Sequence, residues 1–169
     1  MQIRTKVTEM LGIKYPIIQG CMQWFATADL AAAVSNAGGL GVISSATFAS
    51  PEDLRAEIKR CKTLTDKPFA VNISLFPSLN AVGYHEHIKV CAEEGVRIME
   101  TAGRAPTEYI DEIKAAGITV IHKCVAVKHA LKAQSIGCDM VVIDGYEAAG
   151  HIGAFNTGTM VLTPSAVRA

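Results

Sequence analysis

Four ionisable residues of this 169-residue chain stand where a side chain can do chemistry and has little to pack against: Lys123, Asp144, Glu147 and His151. Lys123 follows an apolar run, and an unpaired ammonium at the end of a buried segment is costly unless an anion visits it. His151 lies in a glycine-flanked loop, Ala149-Gly150-His151-Ile152-Gly153. An imidazole with an ordinary pKa of ~6.5 can take or hold a proton at neutral pH. Asp144 and Glu147 read equally well as acid or base and as a cap on the next helix start. His122 faces away from Lys123 if the two alternate along a strand, which makes it a packing residue. His85 and His87 are two apart, a spacing that faces apart on a helix, so no metal site is expected from them.

These candidates need a scaffold, and the hydrophobic pattern supplies one. Short apolar runs recur at Ile17-Ile18-Gln19, Gly41-Val42-Ile43, Phe69 to Ile73, Arg97 to Glu100, Ile118 to Ile121 and Met140 to Ile143. Their starts are roughly 20 to 28 residues apart, the rhythm of strand, crossover helix and two loops in a parallel sheet. Ser50-Pro51-Glu52-Asp53 carries an N-cap hydroxyl and Pro at the first helical position, and Ala105-Pro106 opens another helix. Gly38, Gly95, Gly117 and Gly137 each stand between a helical stretch and a strand, where a left-handed residue ends the helix. No G-x-G-x-x-G follows the first strand, which lowers a dinucleotide-binding doubly wound sheet. Each run is instead followed by polar residues, which a barrel gathers around one mouth.

Composition sets the outer limits. Half of the residues are apolar and 19% are charged, enough to bury a sizeable core in one folded unit. Sixteen Lys plus Arg balance sixteen Asp plus Glu, and no basic run is present, so a nucleic-acid partner is not expected. No apolar stretch approaches the ~20 residues of a membrane span, and the start carries no signal-peptide core. Five cysteines at wide, irregular spacing read as reduced thiols, most of them core residues, in a cytoplasmic protein. A complete barrel needs eight βα units, so a chain with six is expected to be the front part of a longer protein, with two strands lacking. Thr163-Pro164 reads as the start of a further helix. An open sheet edge leads us to expect weak FMN binding or aggregation of the chain alone.

Several segments resemble one family, the nitronate monooxygenases, once called 2-nitropropane dioxygenases, which are flavin enzymes on a (β/α)8 TIM barrel. They are Pro16 to Met22, Leu30 to Gly41, Val71 to Pro77, Glu100 to Gly103, Val120 to Cys124 and Ile143 to Gly153, and they lie in order at the ends of the expected strands. The superfamily also holds NADH:quinone reductases and enoyl-acyl-carrier-protein reductases with a related loop. The resemblance implies an α/β fold, residues 1–169 forming an FMN-binding TIM-barrel domain incomplete at its C-terminus. It implies that Cys21, Met22 and Gln23 line the isoalloxazine with Asn72 and Ser74 beside them. Lys123 would offer its charge to the reduced ring, and Ala149 and Gly150 would let backbone approach. His151 matches the proposed catalytic base.

The implied reaction oxidises nitronates or nitroalkanes with dioxygen to carbonyl compounds and nitrite. The alternatives are an NAD(P)H:quinone reductase on the same flavin and a non-catalytic fragment. A small-molecule substrate is the expected partner, and homo-oligomerisation stays open. Three departures bear on substrate choice. Cys21 stands where the family commonly has Gly, Ile152 where several relatives have Pro, and Ala154-Phe155-Asn156 replaces a more acidic loop. The family's phosphate-binding turns, after a seventh and eighth strand, are not expected in this chain.

Overall fold

A computed structural model describes residues 3–76, 83–153 and 155–169. Pro77, at the end of one resembling segment, and Ala154, in the departing loop, lie outside the described residues. The chain begins with helices α1 (Lys6–Leu11) and α2 (Ala28–Ala37), then alternates strand and helix: β1 (Gly41–Ser44), α3 (Pro51–Leu64), β2 (Phe69–Leu75), α4 (Tyr84–Glu93), β3 (Ile98–Gly103), α5 (Ile110–Ala115), β4 (Thr119–Cys124), α6 (Val127–Ser135), β5 (Met140–Ile143) and α7 (Thr159–Arg168). All strand pairs are parallel and the sheet order is β1-β2-β3-β4-β5. Each strand therefore lies beside its predecessor and the order never reverses. A doubly wound sheet needs such a reversal to create its switch point, whereas a barrel does not.

Five strands form where six are expected. The Ile17-Ile18-Gln19 segment makes one parallel bridge, Ile18 to Leu40, and no ladder. Pro16 has no N–H to offer, and the Ile17 N–H turns back to Tyr15 O, which bends the backbone. Gln19 continues the pairing with its side chain. Its amide nitrogen donates to Val42 O at 3.0 Å and its amide oxygen accepts from Val42 N–H at 3.3 Å, taking the place of the next rung.

Strand alternation divides the sheet into two faces. Ile43, Val71, Ile73, Met99 and Val120 pack beneath α2 to α5 with Leu54, Ile58, Ile88 and Ile113. Val42, Ala70, Ile98 and Ile121 form the opposite face, closed from below by Leu11 and Ile13 near α1. Helix α2 can approach closely because its buried face is Ala28, Ala31, Ala32 and Ser35. A Cβ on Gly41 would stand 1.9 Å from Ala31 O, so only glycine fits at that crossing. The exposed end of the sheet differs: Val141 of β5 is 40% exposed, and Met160, Val161 and Val167 of α7 are exposed too.

Helix punctuation follows the sequence with two shifts. Ser50 caps α3 by accepting from Asp53 N–H, with Pro51 in its first turn. Gly38 ends α2 at φ 102°, and Gly95, Gly117 and Gly137 are left-handed at the three later helix-to-strand junctions. Pro106 opens a turn, and α5 itself starts at Ile110. The last helix starts at Thr159, ahead of the expected Thr163, and carries Pro164 inside. The loop before it supplies the reason: Glu147 accepts the Thr159 N–H at 2.7 Å, while Gly145 N–H donates to Thr159 Oγ1 at 3.1 Å. Pro164 cannot bond the Met160 carbonyl, but Met160 is on the exposed side, where water can.

Candidate functional site

Strands β2, β3 and β4 run two or three residues further at their C-terminal ends than the apolar runs suggest, because ladder pairing continues through polar residues. Asn72 and Ser74 are inside β2, Glu100 inside β3, and His122 and Lys123 inside β4. Ser44, Asn72 and Glu100 share one rung across β1, β2 and β3. Each stands two residues beyond an apolar residue of the inner face, Val42, Ala70 and Ile98, and Lys123 stands likewise beyond Ile121. With a period of two, all four side chains share that face. The inner surface is thus hydrocarbon below and polar at the C-terminal rim.

Two hydrogen bonds fix the polar row. Asn72 Nδ2 donates to Glu100 Oε2 at 2.7 Å, and Ser74 Oγ donates to Asn72 Oδ1 at 2.9 Å. Lys123 Nζ stands 3.7 Å from Glu100 Oε1, an ion-pair distance beyond a direct hydrogen bond. The Glu100 side chain is 4% exposed and that of Lys123 is 22% exposed. Burial pushes the Glu100 carboxyl above its ordinary range; the Lys123 charge and the Asn72 bond pull the other way, and Asp144 adds to the rise.

Cys21 joins this group from the loop before α2. It is half-buried against the inner face, and its thiol is pushed up to about 11, chiefly by burial. The side chain that replaces the family's glycine is therefore tucked beside the sheet. Beyond it the chain forms a rim. Gln23 Nε2 donates to Ala46 O at 2.9 Å, and Trp24 N–H donates to Thr47 Oγ1 at 3.0 Å. Met22, Trp24 and Phe25 are exposed, and Trp24 has a left-handed backbone, φ 72°.

His151 reaches the same end of the sheet by another route. Its ring stacks on Phe76, centroids 4.6 Å apart and planes at 12°, and Phe76 directly follows β2, the strand of Asn72 and Ser74. Among the described residues no hydrogen bond or ion pair joins His151 to Lys123. Ala149 and Gly150 are exposed in the loop after β5. The structure thus brings Cys21, Asn72, Ser74 and Lys123 together, sets His151 over the end of β2, and leaves Met22, Gln23, Ala149 and Gly150 on the loops around them. Glu147 is engaged at the start of α7, so of its two sequence readings the cap is the one observed.

Glu100 is the residue that sequence reasoning passed over as a site candidate. Its signal was present: a carboxylate ends the apolar run Arg97-Ile98-Met99-Glu100, at the position where Asn72 stands in its own run. His122 is buried on the other face, its Nδ1 2.9 Å from Thr101 Oγ1, in the packing role expected of it. His85 pairs with Glu112 at the surface. A groove of about 560 Å³ lies at the N-terminal ends of the strands, among Leu11, Pro68, Arg97 and Thr119, away from every one of these candidates.

The residues present fit the ring end of a flavin. Lys123 has ammonium protons not engaged by Glu100, Asn72 has a second amide proton, and Ser74 has free acceptor capacity. Open space lies where a Cβ would stand on Gly20 and on Gly150. Such a set suits a planar ring with an edge that gains negative charge.

Comparison with known proteins bears on this arrangement. The nitronate monooxygenase family profile matches residues 4–80 and 75–169. Over the whole chain, 39% of residues are identical to a (3aS,4S,5R,7aS)-5-hydroxy-7a-methyl-1-oxo-octahydro-1H-indene-4-carboxyl-CoA dehydrogenase of Mycobacterium tuberculosis, of which the match covers 46%. A probable nitronate monooxygenase of Staphylococcus saprophyticus is 34% identical over 97% of the chain and 55% of its own length. The chain thus spans about half the length of the curated relatives it matches. FabK from Thermotoga maritima superposes with a TM-score of 0.90 at 41% identity, over 98% of this chain and 51% of that one. A nitroalkane oxidase from Streptomyces ansochromogenes shares the fold, with a TM-score of 0.82 at 22% identity over 97% of this chain and 58% of that one. With a parallel sheet of barrel order, a polar row at its C-terminal rim and a profile match along its length, the chain belongs to the nitronate monooxygenase family.

Proposed function

We propose that residues 1–169 supply the ring side of an FMN site in an oxidoreductase that oxidises nitronates or nitroalkanes with dioxygen, giving a carbonyl compound and nitrite. The observation that carries this reading is the row Ser74, Asn72, Glu100 and Lys123, on rigid strands at the rim of the sheet. When bound, FMN supplies the capacity to take electrons from one substrate and pass them to another. Lys123 then offers a fixed positive charge to an edge that becomes negative, and the neighbouring protein keeps bulk water from screening it. Asn72 and Ser74 orient polar atoms of the ring by hydrogen bonds. His151, on its loop above β2, takes the carbon-bound proton of a neutral nitroalkane or, protonated, holds the nitronate anion.

A second reading has its own support. A dehydrogenase from Mycobacterium tuberculosis and another from Rhodococcus jostii, both named for a CoA-thioester substrate, are 39% and 41% identical, whereas probable nitronate monooxygenases of two staphylococci are 34% and 33% identical. On this reading the same flavin exchanges electrons with an acyl thioester. A third donor, NAD(P)H with a quinone as acceptor, belongs to the same scaffold. The five free cysteines suit a reducing compartment, and we assign the protein to the cytoplasm. No helix among the described residues is long and apolar enough to cross a membrane.

Anaerobic mixing of the FMN-loaded full-length protein with a nitronate, with NADH and with a hydroxyacyl-CoA separates these readings. We expect the flavin absorbance to bleach with the nitronate. Bleaching by NADH or by the thioester, with none by the nitronate, overturns the first reading.

A further inference from the structure

The fold itself makes little use of Glu100. One level down, the inner face is closed by Val42, Ala70, Ile98 and Ile121 without any polar group. A carboxylate 4% exposed, held by one amide and an ammonium 3.7 Å away, gains less than it loses in hydration, and a buried ion pair adds little stability over an apolar pair of similar size. Its position is informative. Glu100 is on the rung beside Asn72, and its Oε1 is the carboxylate oxygen that faces Lys123. Any anionic edge that approaches Lys123 from the open side of the rim therefore meets an ammonium whose charge is already half-answered from behind.

We infer that Glu100 is the positioning residue of the site: it holds the Lys123 ammonium at the rim and, by opposing its charge, limits how strongly the site favours the reduced, negative cofactor over the oxidised, neutral one. This inference rests on the FMN reading above. A neutral residue at position 100 leaves the Lys123 charge unopposed, so reduction becomes more favourable. A merely structural glutamate would alter folding or affinity for both cofactor states alike and leave their ratio where it was. Asp144 and Cys21 also lie close to Glu100, and neither changes in the comparison.

The test measures the midpoint potential of FMN on the full-length protein that contains this chain, with E100Q and E100T as two neutral variants and E100D as one that keeps the charge. FMN fluorescence titration is run on each. We expect both neutral variants to move the potential in the positive direction, by a tenfold or larger change in the reduced-to-oxidised equilibrium, about 30 mV for a two-electron couple. E100D should stay near the parent chain. If the parent full-length protein shows no saturable FMN binding, the FMN reading fails and the inference with it. If the parent binds FMN and the neutral variants keep its potential or move it negatively, the Glu100 inference alone is overturned. Two neutral variants guard against one that does not fold.

Discussion

Asn72 and Glu100 stand on the same rung of adjacent strands, both buried, and the Asn72 amide donates to the Glu100 carboxylate at 2.7 Å. Removing one partner of a buried pair leaves the other without its bond, which costs more than the bond contributes when both are present. Asn72→Ala should therefore lower stability by about 1–3 kcal/mol. Urea unfolding followed by circular dichroism reads this directly, and an unchanged midpoint would show that the amide is not what satisfies Glu100.

The raised titration of Glu100 has a consequence for folding with a definite sign. An unfolded chain releases this proton in the ordinary carboxylate range, ~4.3. Burial makes the folded chain keep it to a higher pH. Between those two points the folded state binds more protons, so the residue's contribution to stability falls as pH rises through the window, then levels off. The difference in stability between E100Q and the parent should accordingly grow from pH 4 upward. A difference that is constant from pH 4 to 8, in parallel urea titrations, would contradict the burial of a titrating carboxyl.

All five cysteines are free, and burial pushes their thiols up, Cys21, Cys61 and Cys138 to about 11 and Cys91 and Cys124 to about 12. Alkylation needs the thiolate. Iodoacetamide at pH 7.5 should leave the folded chain unmodified over the time in which the urea-unfolded chain reacts at all five positions, as counted by intact mass. Rapid single labelling at Cys21 would show a thiol activated by Lys123.

Trp24 is 67% exposed yet left-handed, a conformation that costs a residue with a side chain roughly 1–2 kcal/mol. Glycine adopts it freely. Trp24→Gly should therefore leave the thermal midpoint unchanged or raise it, unlike most losses of an aromatic side chain, while FMN binding weakens because the rim loses a flat apolar wall. A stability loss above about 1 kcal/mol would mean that Trp24 packs in the core.

Much of this layout could be read before any coordinates. The four helix-to-strand glycines, the Ser50 cap and the apolar runs marked nearly every βα unit, because left-handed turns, capping and burial act locally. Strand alternation places His122 and Lys123 on opposite faces for the same reason. Three features escaped because they depend on partners distant in sequence. Polar strand ends such as Ser74 and His122-Lys123 look like loop until the neighbouring strand pairs with them. Glu147 fixes the start of α7 twelve residues away, which no local rule at Thr163 could anticipate. Glu100 became a candidate only when the register placed it between Asn72 and Lys123.

The proposed chemistry depends on a flavin ring seated at the C-terminal rim of this sheet. Titrating the isotope-labelled full-length protein with FMN and mapping backbone amide shifts by NMR tests that most directly. Saturable changes should centre on Gly20, Cys21, Asn72, Ser74 and Lys123. Changes confined to Leu11, Gly12, Gly95 and Gly117, around the groove at the opposite end, or no saturable change at all, would contradict it.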